Sequence, residues 1–425
     1  MKAEQTNFII NNVQIIDPLS PNHQQKKSIL IVDGIIKEIS DRPFQGETVL
    51  EGDNLYVSPG WIDMRVTIGD PGLEHKEDIF SACKAAAFGG FTELLCMPNT
   101  RPSLHSKEII SYIKNKAQNE LVEIHVAASV TQDRHGKDLT EMIDLHHAGA
   151  LAFTDGEKPI WHTDIFLKSL QYLQSFDGLL IDHAEEPHLS HSGQMNEGYQ
   201  STLLGLKGIP KLSEEIVVQR NLEILKYTGG RLHLSHISSP NSLQKIKDAK
   251  REGLSVSCDI ASYQLVLDDS FVSSFDTNYK VNPPLRDKED IEMFWQALKE
   301  GVIDAVVSDH IPQDEECKNL EFDLADFGIL GLETVFPLLS TYGKNYLSIN
   351  QIIEKLSINP RKILKIPVPL IQEGEIANLT IFNPDLNWTY ELKDINSKSK
   401  NTPFIGTTFT GKAIAVYNKG KFIIN

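Results

Sequence analysis

Between residues 61 and 310 the chain repeats one local plan, and no other feature constrains its fold as strongly. GWIDMRVTI, FTELLCMPN, EIHVAASV, GALAFTDG, GLLIDHAEE, RLHLSHISS, LSVSCDIAS and GVIDAVVSDH each read as a short buried strand that ends in polar residues. Helical patterns lie between most of them. KEDIFSACKAAAFGG joins an acidic first turn to an alanine-rich body and a glycine stop. NSLQKIKDAKREG and SEEIVVQRNLEILKYTGG follow the same plan, with Asn241 and Ser213 as the expected N-caps. Eight strand-then-helix units predict a (β/α)8 barrel. A doubly wound open sheet also alternates strand and helix, but no Gly-x-Gly-x-x-Gly opens a helix after a strand, which argues against its nucleotide-binding form.

Both chain ends have a different texture. FIINNVQIID and SILIVDGIIKEI near the start, and ANLTIFNP, FTGKAIAVYNKG and KFIIN near the end, are β-rich runs punctuated by Asn, Gly and Pro. The ends are therefore predicted to pair into one small β domain of residues 1–57 and 368–425, with a barrel of residues 58–367 inserted between them. Lys and Arg number 41 against 58 Asp and Glu, a net charge of −17 that disfavours a nucleic-acid partner. No apolar run reaches the roughly 18 residues a membrane span needs, and MKAEQTNFIINN lacks the basic segment and long apolar core of a signal peptide. Cys83, Cys96, Cys258 and Cys317 lie far apart and form no Cys-x-x-Cys pair. These features predict free thiols in a cytoplasmic protein with no membrane partner.

In a barrel the chemistry sits at the C-terminal ends of the strands. Those ends deliver Arg65, Thr67 and Gly69, then Asn99, Asp155, His183, His236, Asp259 and Asp309-His310. Imidazoles and carboxylates that converge from separate strands are the ingredients of a zinc or other divalent-metal site. Asp155, His183 and His236 would supply three ligands and leave room for an activated water, with Asp309 as general base. A lone histidine after a strand is more often a hydrogen-bonded loop residue than a ligand, so the two readings stand side by side. His233 is assigned to packing, His188 and His191 to a solvated loop, and His146 and His147 to a helix surface.

The residues also carry a resemblance. EHKEDIFSACKAAAFGGFTELLCMPNT, HAEEPHLSHSGQMNEG, LGLKGIPKLSEE, RLHLSHISS, VNPPLR, VVSDHIP, GILGLET, INPRKIL and NTPFIGTTFTGKAIAVYNKG resemble the dihydroorotases of the amidohydrolase superfamily over nearly the whole chain. The type is the one found with aspartate carbamoyltransferase. Allantoinases and dihydropyrimidinases are close relatives, but the Met-Pro-Asn and Asn-Pro-Pro-Leu-Arg stretches favour dihydroorotase. The resemblance implies a TIM-like, zinc-dependent barrel with a β-sandwich made from both termini, a homodimer, and the reversible cyclisation of carbamoyl aspartate to dihydroorotate in pyrimidine synthesis. It implies His183, His236 and the bridging Asp155 as metal ligands, although Thr154 stands where the family usually has a further acidic residue. It also implies Asp309 as the catalytic aspartate, and Asn99 and Asn282 as substrate contacts.

The opening strand breaks the pattern. The family reads Asp-x-His-x-His-x-Arg, and here the frame is Asp63, Arg65, Thr67 and Gly69. Two metal-binding imidazoles and a substrate-gripping guanidinium are gone. A Thr-Pro-His-His-Leu stretch of the family appears as Ala261-Ser262-Tyr263-Gln264-Leu265, and Gln313 replaces a late histidine. Arg65 cannot ligate a metal because its guanidinium stays protonated. Loss of the clamp at Gly69 weakens a bound carboxylate by roughly 2–5 kcal/mol. Without a cation Asp309 would lie buried and unpaired, so Arg65 is expected to pair with Asp309 or Asp155, the alternative being that its long stem carries the guanidinium out to solvent. Three readings follow: a non-catalytic relative that serves aspartate carbamoyltransferase structurally or as a regulator, with at most one divalent metal or none; a working dihydroorotase with one metal at Asp155, His183 and His236; or a hydrolase of another cyclic amide. The first is preferred, because the losses fall on metal binding and substrate recognition together.

Overall fold

A computed structural model of the chain describes residues 7–46, 49–52 and 54–425. Residues 1–6, part of the segment expected to carry no signal peptide, lie outside the described residues. The N-terminal strands are β1 (Asn7–Ile15), β2 (Lys26–Val32), β3 (Ile35–Ser40), β4 (Val49–Leu50) and β5 (Tyr56–Pro59). Gly60 alone separates β5 from β6 (Trp61–Val66). A Cβ there would stand 2.0 Å from the Asn378 amide oxygen and 2.1 Å from the Thr92 hydroxyl, so this tight passage between the two sheets needs glycine.

From β6 the chain winds through β7 (Phe91–Cys96), β8 (Glu123–Ala128), β9 (Ala150–Phe153) and β10 (Leu179–Asp182). A small ribbon of β11 (Met195–Asn196) and β12 (Gly208–Ile209) interrupts it, before β13 (Arg231–Leu234), β14 (Val256–Ala261) and β15 (Ala305–Val307) complete the circuit. Each of the eight large-circuit strands pairs in parallel with the next, so all eight predicted runs form one sheet in chain order. The sheet nearly closes. The Ser308 amide donates to Asp63 Oδ2 at 2.8 Å, and the Thr67 amide donates to the His310 carbonyl at 2.9 Å. The burial of every residue of β6 and β7 follows from this geometry, because one face fills the barrel and the other meets helices. Ile62, Met64, Leu95 and Met97 pack inside with Ala127, Ile181 and Val307, while Trp61, Val66, Leu94 and Cys96 join the larger outer core.

The helix after β6 spans Ile79–Gly89, capped by Asp78 at its start and by a left-handed Gly90 at its end. Two expected caps are corrected. The helix after β13 begins at Pro240 with Ser239 as its N-cap, and Asn241 lies in the first turn, where its amide donates to Glu215. The long helix before β13 begins at Lys211, two residues ahead of Ser213. Proline explains both misplacements: its fixed φ and missing N–H suit the first helical turn or its entry, so Pro240 and Pro210 extend each helix upstream of the expected polar cap.

At the far end β16 (Leu379–Thr389), β17 (Thr408–Asn418) and β18 (Lys421–Ile424) return to the N-terminal strands. Among the described residues the sheet order is β18-β17-β16-β5-β1-β2-β3, with β4 against β1, so both chain ends share one sheet whose seam is the antiparallel β16–β5 pair. Strand alternation lets β16 and β17 serve two cores. Leu379, Ile381, Ala415 and Tyr417 face the small domain's own core, and Phe382, Ala413 and Val416 face the barrel. There Trp61, Phe336 and Phe382 pack with ring centroids 4.8–5.5 Å apart. No described helix is long and apolar enough to cross a membrane, and all four cysteines are free.

A buried ion pair ties the first turn of the barrel to the closing helix. Arg361 donates from Nη2 to Glu93 Oε1 at 2.6 Å and from Nη1 to the Gly60 carbonyl at 2.6 Å, while His125 lies 2.8 Å from the other Glu93 oxygen. Burial pushes the Glu93 carboxyl up, but the His125 hydrogen bond and the Arg361 charge outweigh it and hold the group at about 2, below its ordinary 4.5. A depressed carboxylate stabilises the fold above its unfolded pKa, and that contribution is lost as pH falls from 4.5 through 2. The substitution Arg361→Met leaves Glu93 buried without its cation and is expected to cost about 3–5 kcal/mol, read from urea unfolding at neutral pH. The variant is also expected to show a flatter loss of stability than the parent between pH 4.5 and 2.

Candidate active site

The C-terminal strand ends gather most of the predicted residues at one mouth and connect them to one another. Arg65 leaves β6 fully buried, and its Nε donates to Asp309 Oδ1 at 2.7 Å, with both side chains only 2% exposed. Of the two carboxylates open to it from sequence, the guanidinium takes Asp309. The second Asp309 oxygen accepts the Tyr263 hydroxyl at 2.6 Å, and Nδ1 of His236 stands 3.8 Å from it. Burial alone would raise the Asp309 carboxyl. The Arg65 charge, followed by His236 and Tyr263, overrides burial and holds it well below the usual carboxylate range. Asp309 is thus a fixed anion with both oxygens engaged. Tyr263 in turn is pushed well up by burial and by its anionic partner, which keeps it a hydroxyl donor.

Asp155 follows β9 and faces another way. Its Oδ1 accepts the Thr131 amide at 3.0 Å and its Oδ2 the Thr131 hydroxyl at 2.5 Å. Burial raises its carboxyl despite these bonds. His183 and His236 do come together, with ring centroids 4.6 Å apart. Both ring nitrogens of His236 are buried without a hydrogen-bond partner, and His183 Nε2 has only the Glu185 carboxylate, 3.4 Å away. Burial, then the Arg65 charge, brings His236 down to about 4, so it is neutral at pH 7. His236 and Asp309 both sit at positive φ, 43° and 48°, a backbone state that non-glycine residues hold only under surrounding constraint. For His236 the constraint is Asp259, whose carboxylate accepts the His236 amide and also holds His233 Nε2 at 2.8 Å. Asp259 and His233 therefore lie in the supporting layer beneath the mouth, which fits the packing role read for His233. His146, His147, His188 and His191 are exposed.

The two asparagines are occupied as well. Asn99 donates to the Thr67 hydroxyl at 3.2 Å and to Glu157, and its oxygen accepts from Arg134 Nη1 at 2.8 Å. Asn282 donates to Glu185 Oε2 at 2.9 Å. Gly69 has φ +67°, and a Cβ there would lie 2.4 Å from the Glu77 carbonyl oxygen. A side chain at this position could not be accommodated without moving the backbone. Tyr263, Thr131, Arg134 and Glu185 were not assigned from sequence. Tyr263 lay in a stretch that departs from the family pattern, a signal that could have found it. Arg134 had none, since it is one polar residue in a polar loop.

The donor set does not suit a dinuclear metal centre. Among the described residues no group of three or more His, Cys, Asp or Glu side chains is disposed to hold an ion. Arg65 and Thr67 offer no imidazole from the end of β6, Asp309 is committed to Arg65 and Tyr263, and Asp155 is committed to Thr131. His183 and His236 are the two imidazoles that the strand ends bring together, with both His236 ring nitrogens unpartnered and His183 Nε2 3.4 Å from Glu185 Oε2.

Residues 55–242 match the dihydro-orotase-like family and residues 216–423 the amidohydrolase family, which is generally metal-dependent. The dihydroorotase of Trichlorobacter lovleyi is 38% identical over 423 residues, 99% of each chain, and that of Carboxydothermus hydrogenoformans is 40% identical over 400 residues, 93% of each. The fold is shared with the L-hydantoinase of Arthrobacter aurescens, with a TM-score of 0.84 at 24% identity over 98% of this chain and 96% of that one. It is shared too with the dihydropyrimidinase of Brevibacillus agri, at 0.81 and 21% over 99% and 95%. With sequence identity of this extent spanning both sheets, the chain belongs to the dihydroorotase family of the amidohydrolases.

Proposed function

We propose that this chain is a dihydroorotase-family protein that has lost or nearly lost catalysis and is retained for its fold, as a structural or regulatory partner of aspartate carbamoyltransferase. The Arg65–Asp309 pair carries the reading. The family reaction interconverts carbamoyl aspartate and dihydroorotate, and the resemblance assigns Asp309 the proton-transferring role. A base must be free to take a proton. Here that carboxylate is paired with a guanidinium, hydrogen-bonded to a phenol and held far below neutral pH as an anion of low basicity. The substrate's grips are also spent, because Asn99 and Asn282 bind side chains of this chain and Gly69 offers none. A guanidinium occupies the place where a cation would neutralise Asp309, so the mouth remains electrically balanced without metal.

One observation supports a second reading, an active or weakly active enzyme with a single metal. The unpartnered ring nitrogens of His236 leave room for a further neighbour beside His183, but His183 Nε2 would have to leave Glu185 and Asp155 would have to leave Thr131 to complete the set. Turnover and metal content separate the two. Protein prepared without chelator is expected to carry well under one zinc per chain and to hydrolyse dihydroorotate at background rate. Zinc near one per chain with turnover supports the single-metal reading, and clear turnover, or zinc near two per chain, overturns the proposal. The partner and the homodimer expected from the resemblance are tested by co-elution with aspartate carbamoyltransferase and by sedimentation.

Two substitutions examine the Arg65 lock directly. Arg65→Ala leaves Asp309 buried and unpaired and is expected to cost about 3–5 kcal/mol in urea unfolding, against near-neutral behaviour if the pair were incidental. Arg65→His with Thr67→His restores two imidazoles to the first strand and is expected to raise bound zinc, read by atomic absorption, while turnover stays low because the clamp at Gly69 is still missing.

A further inference from the structure

Beside the mouth, the loops after β8, β9 and β10 enclose a cavity of about 390 Å³. Arg134 and His135 line it from the first loop, Lys158 and Trp161 from the second, and His188 from the third. No carboxylate lines it. That is unusual in a chain of net charge −17, where a cation normally finds an acidic neighbour. Among the described residues the side chains of His135, Lys158 and His188 have no hydrogen bond or ion pair. Arg134 spends Nη1 on Asn99, and its buried Nε has no partner.

The acidic residues adjacent in sequence make no ion pair with Lys158, His135 or His188, while Glu157 and Arg134 share Asn99 and buried Asp155 feels the Arg134 charge. Asp133 lies 3.1 Å from His105 Nδ1, Glu157 accepts from Asn99, and Glu186 accepts the His188 backbone amide at 3.1 Å. Two permanent cations, two imidazoles and an indole therefore border a concave space that no carboxylate lines, although the charge of buried Asp155 reaches Arg134 from behind the wall. Low-dielectric walls concentrate such a field. A guanidinium and an ammonium together match the oxygens of a carboxylate or a phosphate. The volume falls in the range of small-molecule sites, so it suits an anion carried on an organic body rather than a bare ion.

We propose that this vestibule binds a small organic anion through a carboxylate or phosphate group, with Arg134 and Lys158 as its charge-pairing residues. The site is distinct from the Arg65–Asp309 mouth, and the proposal stands whether or not that mouth turns over substrate. Arg134 connects the two, because the guanidinium that would meet the anion also holds Asn99.

Calorimetric titration of the full chain at low ionic strength tests it, with glycerol 3-phosphate, succinate and neutral glycerol as probes. At least one anion is expected to bind with Kd of about 1 mM or tighter, while glycerol does not. Preference for glycerol 3-phosphate assigns a phosphate ester, and preference for succinate assigns a carboxylate. Lys158→Glu makes no contact that the fold uses and is expected to weaken binding by about tenfold or more. Arg134→Gln is expected to act in the same direction. Lys137→Glu, an exposed lysine of the same loop outside the cavity, is expected to leave the affinity unchanged. Absence of binding by both anions, or binding that Lys158→Glu does not alter, overturns the proposal.

Discussion

A guanidinium and a carboxylate buried 2.7 Å apart at the point where the barrel closes organise the rest of this molecule's mouth. Neither charge is tolerable there alone. An unpaired ion in such an interior costs several kcal/mol, which pairing offsets, although Nη1 of the guanidinium meets only the Met97 sulfur, at 4.0 Å. Tyr263 takes the second oxygen of Asp309 and Asp63 takes the Arg65 amide at 2.9 Å. The same Asp63 carboxylate binds the Ser308 amide, so the residue that fixes the Arg65 backbone also helps join the last strand to the first. The electrostatics of the mouth and the closure of the barrel are thus one arrangement.

That arrangement explains why the departures from the family pattern occur together. Removing imidazoles from β6 without supplying another cation would strand Asp309. Arg65 supplies that charge, and Tyr263 provides a donor from a stretch where the family has histidine. Gly69 completes the set, since the turn has folded down onto the Glu77 carbonyl and left no room for a clamp. Around these the asparagines are drawn into internal bonds with Thr67, Glu157, Arg134 and Glu185. Most of the pocket's polar groups are thus bonded to one another, with the His236 nitrogens as the exception.

Much of the framework was legible beforehand because it rests on local physics. Short buried strands that end in polar residues, alternating with capped helices, leave few alternatives to a barrel, and all eight runs form its strands. Helix starts were less legible, because Pro240 and Pro210 carry the first turn upstream of Asn241 and Ser213. The imidazole pair His183–His236 was readable from strand ends. The partners of Asp155 were not, since Thr131 is an ordinary loop residue whose importance comes only from where β8 places it.

The sequence by itself determined the barrel, the sharing of one sheet by the two chain ends, and the presence of Arg65, Thr67 and Gly69 at and just beyond the end of β6. Those are facts of residue type and periodicity. It left Arg65 between two carboxylates, and only the tertiary structure decided for Asp309. The physical reason is sheet order. Closure sets β15 beside β6, so Asp309 lies within reach of a guanidinium on the first strand, whereas β9 stands three strands away and turns Asp155 toward Thr131.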